Sequence, residues 1–126
     1  MVKFKTSQRQ LEKMLEEALV DCYGADEQFS GLAATIEDKL PFPFKARVLG
    51  EMVEVIGIDN HRTSMNRGII AWVRKGGKEY PAALSEIQVA KSFNGLKWLE
   101  LYEFYVDGDA GGDNGHDEAD YRVLIN

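Results

Sequence analysis

Ile69-Ile70-Ala71-Trp72-Val73-Arg74-Lys75-Gly76-Gly77-Lys78 is the stretch that decides the fold class. Ile69, Ala71 and Val73 alternate with Ile70, Trp72 and Arg74, the period of two that a strand with one buried face requires. Lys75-Gly76-Gly77-Lys78 then reads as a two-residue hairpin turn, because paired glycines accept the positive φ values of such turns. Working back along the chain, Val53 and Val55 alternate with Glu54, and Phe44, Ala46 and Val48 with Lys45 and Arg47. Working forward, Pro81 cannot donate to a ladder and marks an edge or a bulge. Short antiparallel strands closing at Ile87 to Val89 predict a small SH3-like barrel over residues 43–90.

Before the strands the period is helical. Ser7 and Gln10 form a capping-box pair, followed by Leu11, Met14, Leu15, Ala18, Leu19 and Cys22 on one stripe. This predicts a helix from Ser7 to Asp21, ended by Gly24 in a left-handed conformation. Asp26 is expected to cap a second helix with Phe29, Leu32, Ala33, Ile36 and Leu40 inward, stopped by Pro41-Phe42-Pro43. After Gly95, the residues Trp98, Leu101, Tyr102 and Tyr105 return to helical spacing, predicting a helix over 95–106. The expected architecture is therefore α+β: an N-terminal helical hairpin (7–40) packed on the barrel, then the short helix. Residues 1–106 are expected to form one domain, and 107–126 an acidic Gly/Asp-rich tail with little to bury.

The formal net charge of -6 is unevenly distributed. Glu16, Glu17, Asp21, Asp26, Glu27, Glu37 and Asp38 fall in a stretch without Lys or Arg, and Asp107, Asp109, Asp113, Asp117, Glu118 and Asp120 fall in another. The middle of the chain is correspondingly basic. The single cysteine, Cys22, excludes an intrachain disulfide and a cysteine-rich zinc site, which fits a reducing compartment. No stretch has the apolar length of a membrane span and the start lacks a secretion signal, so the expected location is the cytoplasm.

No catalytic set is visible. His61 and His116 are far apart, no Ser or Cys has an evident base, and neither HExxH nor a glycine-rich phosphate loop is present. The expectation is a non-enzymatic protein. Cys22 reads as a buried small hydrophobe, Trp72 and Trp98 as core, and Tyr23 as a packing residue.

The carboxylates are the chemistry that remains. On a helix reaching Asp21, Glu17 and Asp21 are repelling i, i+4 neighbours. Ca²⁺ would offset such a cost, since it takes six to eight oxygens, from carboxylates and carbonyls, in loose geometry. The turn Asp21 to Gln28 offers both kinds of oxygen. Composition alone favours a solvated helix face, or ion pairing with the basic strands, over a metal site.

Three runs carry a family resemblance: Glu17-Ala18-Leu19-Val20-Asp21-Cys22-Tyr23-Gly24-Ala25-Asp26-Glu27-Gln28; Ile36-Glu37-Asp38-Lys39-Leu40-Pro41-Phe42-Pro43-Phe44-Lys45-Ala46; and Val48-Leu49-Gly50. With Ile70 to Gly76, Tyr80 to Leu84, Trp98 and Tyr102 they resemble the bacterial CcbP-like calcium-binding proteins over roughly residues 10 to 105. The resemblance implies intracellular Ca²⁺ binding, as buffer or sensor, with no enzymatic role. It places weight on Asp21, Glu27, Glu37 and Asp38, and the charge argument adds Asp26.

Beyond that range, Asp107, Asp109, Gly112 and Glu118 match positions one, three, six and twelve of an EF-hand loop, with Asp113 at seven. Gly111 departs from the template at five and Asn114 at eight. Asp107, Asp109, Asp113 and Glu118 are thus a second, weaker Ca²⁺ candidate. The alternative function is an SH3-like binding module that uses Arg62, Arg67, Arg74, Lys75 and Lys78 for a protein or nucleic-acid partner. The acidic islands and the lack of interleaved aromatics argue against nucleic acid.

Overall fold

In a computed structural model describing residues 4–109, the first helix, α1 (Gln8–Ala18), begins where the sequence signals it. Ser7 is the N-cap, and its Oγ accepts a hydrogen bond from the Gln10 N–H at 3.1 Å. Leu11 and Met14 are the buried side of the helix. It ends at Ala18, three residues short of Asp21. Leu19 leaves the helical region at φ -101°, and the left-handed residue of the connection is Asp21 at φ 66° rather than Gly24. Aspartate is among the few residues whose short polar side chain tolerates that region, so a glycine was not needed there. Glu17 and Asp21 therefore do not face each other across a helical turn. Cys22 lies in the connection and is only half-buried, not on the stripe of α1.

Helix α2 (Ala25–Lys39) buries Phe29, Leu32, Ala33 and Ile36. The Gly24 carbonyl accepts from the Gln28 N–H at 2.9 Å, so the helix starts from Gly24, and Asp26 lies inside the first turn instead of capping it. Acids in a first turn suit the positive end of the helix dipole. The stop before Leu40-Pro41 is as the prolines dictate.

Helix α3 (Leu96–Asp109) extends past the expected end at 106. Leu96, Leu99, Leu101 and Tyr102 are buried, with the carboxylate of Glu100 among them. Each of the three helices touches the other two. Trp98 is half-buried rather than core, with the ammonium groups of Lys39 and Lys97 at 5.9 Å and 5.7 Å from its ring centroid. These helical parts, 4–39 and 95–109, form one compact unit.

The second unit, residues 40–94, is a four-stranded antiparallel sheet of β1 (Phe44–Val48), β2 (Glu51–Ile58), β3 (Ile70–Lys75) and β4 (Lys78–Ala83), in that order. The alternation is obeyed: Phe44, Ala46, Val48, Val53, Val55 and Val73 point inward. Gly76 and Gly77, at φ 57° and 84°, make the predicted turn. Pro81 lies in the edge strand β4, where its missing N–H costs no ladder bond. A single 3₁₀ turn, Leu84–Glu86, leads to Gln88, which exchanges backbone hydrogen bonds with Arg47 of β1 at 2.8 Å and 2.9 Å. Trp72 stands half-buried on the outer face and not in the core. Its Nε1–H donates to Glu79 at 2.8 Å, and the Arg62 guanidinium lies 5.6 Å from its ring centroid.

Candidate metal centre

The α1–α2 connection brings three of the five N-terminal candidates to one short segment. Asp21 is on the turn, and Asp26 and Glu27 are in the first turn of α2; all three side chains are exposed. Glu27 Oε1 folds back to accept the Tyr23 N–H at 2.8 Å, which satisfies a donor that precedes the helix and ties the turn to α2. Tyr23 itself is 83% exposed, so its side chain does not pack. Asp21 to Tyr23 lie on irregular backbone, whose carbonyls project outside any helical ladder.

Glu37 and Asp38 stand apart. Ten residues separate Glu27 from Glu37, which at the rise of an α-helix is about 15 Å along α2. One ion with bonds of about 2.4 Å cannot span that. The five acids are therefore two groups, one at each end of α2. Glu37 and Asp38 occupy the end where the helix dipole is negative, with Lys39 beside them.

Among the described residues, no three His, Cys, Asp or Glu side chains converge as a formed metal cage. The donor set is nonetheless all oxygen, hard and anionic, which suits Ca²⁺ or Mg²⁺ and not a soft transition metal. In the second candidate, α3 runs through Asp107 and Asp109, where the sequence reading began a loop. Asp113 and Glu118 lie outside the described residues.

The basic surface of the sheet is largely matched by its own acids. Arg74 pairs with Glu54 at 3.0 Å and with Glu79 at 3.3 Å, Lys75 with Glu51, and Arg62 with Asp59 at 2.8 Å. The Arg62 hydrogen bond holds the Asp59 carboxyl below its ordinary range, against the opposing effect of desolvation. These pairings leave less positive potential for a polyanion than the sequence suggests.

Two residues escaped the sequence reading. A Cβ at Gly31 would fall 2.8 Å from Cys22 Sγ and 3.3 Å from the Ala18 carbonyl oxygen, so any side chain there must displace one or both. Its signal was a glycine in mid-helix. Glu100 is 3% exposed, and its signal was an acid between two core leucines.

A family model named for CcbP and described as calcium binding matches residues 12–106, well over half of the chain. The chain is similar in structure to Anabaena CcbP, with a TM-score of 0.69 and 19% identity over 82% of this chain and 94% of that one. It is also similar to a protein described as a calcium binding protein in the calcium-binding form, with a TM-score of 0.59 and 19% identity over 90% of this chain and 100% of that one. No curated protein sequence matches. Among the described residues, no helix is long and apolar enough to cross a membrane.

Proposed function

We infer, from the premise that this chain belongs to the CcbP family of calcium-binding proteins and that Ca²⁺ is its ligand, that the ion is held at the α1–α2 turn by Asp21, Asp26 and Glu27. The observation that carries this reading is the gathering of three exposed carboxylates on one short segment, with no base between Glu16 and Asp38 to neutralise them. Ca²⁺ accepts mixed carboxylate, carbonyl and water ligands, so exposed side chains can swing onto it without a preformed cage. Ordering them costs side-chain entropy, which lowers affinity and favours a buffering role over tight storage. Glu37 and Asp38 form a second, separate anionic locus, and Asp107, Asp109, Asp113 and Glu118 a third and weaker one.

The finer architecture follows the same reading. The sheet is an SH3-like barrel, supported by the 3₁₀ turn after β4 and by the Arg47–Gln88 bridge on the free side of β1. Residues 1–106 act as one non-enzymatic Ca²⁺-binding domain followed by an acidic tail. The single half-buried thiol suits a reducing cytoplasm.

The test is a Ca²⁺ titration of the full chain followed by amide NMR. Shifts from Ala18 to Gln28 that saturate, and that vanish in Asp21→Asn/Glu27→Gln, support the site. Shifts confined to Glu37 and Asp38, or to Asp107 and beyond, would move it to those loci. Retention on a phosphate matrix that falls with salt and ignores Ca²⁺ would favour the binding module.

A further inference from the structure

Glycine is the least favourable residue in a helix interior after proline, and Gly31 is the seventh residue of α2. What it provides is space. An added Cβ would meet Cys22 Sγ at 2.8 Å and the Ala18 carbonyl oxygen at 3.3 Å, whereas one at Gly24 would meet nothing within 4 Å. Ala18 is the last residue of α1, and Cys22 is the residue after Asp21. Both ends of the five-residue segment that carries Asp21 are therefore seated against a single residue of α2.

That seating has a consequence for the acids. Asp21 holds φ 66°, a left-handed position that aspartate tolerates and that turns the chain sharply between Ala18 and Cys22. Its neighbour Cys22 is fixed by the notch, and Tyr23 is fixed by the Glu27 carboxylate at 2.8 Å. The backbone that carries the Asp21 carboxylate is thus seated beside the end of α2 that carries Asp26 and Glu27.

We propose that the Gly31 notch is a positioning device for the Ca²⁺ site: with Cys22 and Ala18 seated in it, Gly31 and Cys22 set Ca²⁺ affinity without touching the ion. This rests on the reading that Asp21, Asp26 and Glu27 hold Ca²⁺. Changing a group that orients a metal ligand from behind typically costs about 10–100-fold in metal affinity. Cys22 acts here through its size and place, as a positioning residue.

The experiment compares full-length wild type, Gly31→Ala, Cys22→Ala, Cys22→Ser, Cys22→Leu and Gly31→Ala/Cys22→Ala. Ca²⁺ affinity is measured by calorimetry, and the urea midpoint without Ca²⁺ is measured beside it. Gly31→Ala should weaken Ca²⁺ binding about tenfold. Its urea midpoint should move little, because the helix propensity of alanine offsets the crowding. Adding Cys22→Ala removes the closer clash and should recover most of the affinity, a coupling that general destabilisation does not produce. Cys22→Ser makes the group slightly smaller, adds no crowding to the notch and should bind as wild type. Cys22→Leu crowds the notch from the other side and should weaken binding, which keeps the test decisive if Gly31→Ala does not fold. Unchanged affinity in both crowding variants, or failure of the double variant to recover, overturns the notch alone, provided wild-type amide shifts still map to Ala18–Gln28. Wild-type shifts that avoid that segment overturn the turn site and the notch with it.

Discussion

Glu100 Oε1 accepts a hydrogen bond from the Thr6 backbone N–H at 2.9 Å, while Oε2 of the same carboxylate accepts the Lys5 N–H at 2.8 Å. A charged group 3% exposed needs such donors, since burying a carboxylate without them is costly. The two bonds fasten the chain just ahead of α1 onto α3. Glu100→Gln keeps one acceptor and turns an amide N–H toward a backbone N–H, so stability should fall by about 1–3 kcal/mol. The measurement is the urea midpoint at constant slope, and an unchanged midpoint would show that the pair contributes nothing net.

Asp59 should titrate below the ordinary carboxylate range, because the Arg62 guanidinium bonds its ionised form. A depressed folded-state pKa adds stability that is complete above the unfolded value and disappears as pH falls through the folded one. Arg62→Ala should return the Asp59 carboxyl carbon titration toward the ordinary range. It should also change Trp72 fluorescence, since Arg62 lies over that ring. A titration curve that Arg62→Ala leaves in place would refute the assignment.

Leu49 is 89% exposed and holds φ 54° ahead of Gly50 at φ 80°, the paired positive values of a tight hairpin turn. Asparagine takes that first position readily, whereas leucine holds it under strain. Leu49→Asn should therefore stabilise the chain, by about 1 kcal/mol from relieved strain. Thermal unfolding checks it, and a lower midpoint would mean that the leucine side chain has a use its exposure does not reveal.

Asp21, Asp26 and Glu27 are exposed, so a Ca²⁺ site made of them, as proposed, is open to screening, with a Debye length of about 10 Å at 0.1 M salt. The Ca²⁺ dissociation constant should rise several-fold between low and moderate NaCl. A constant that ignores salt would point to a buried, preformed cage elsewhere in the chain.

Much of the fold was legible because it is written in local periods. Ser7 as a cap, the Gly76-Gly77 turn, the inward valines of β1 to β3 and the stop at Pro41 depend on residues close to one another in the chain. The errors fell where a local rule had two solutions. Asp21 took the left-handed position that Gly24 also suited, and this shortened α1 and moved Cys22 off its stripe. Trp72, Trp98 and Tyr23 were misplaced because an aromatic residue fits an apolar pattern whether or not anything covers it.

By itself the sequence determined the helices, the strands, the acidic islands and the run of motifs that marks a calcium-binding family, all properties of residue order. Tertiary structure decided which groups meet: Glu100 with Thr6, Cys22 with Gly31, Arg74 with both Glu54 and Glu79. Those meetings depend on strand register, helix rotation and the path of a turn, which are set by packing across the unit. The length of α2 makes the same point for the acids, since a rigid rod between Glu27 and Glu37 turns one cluster in the sequence into two loci in space.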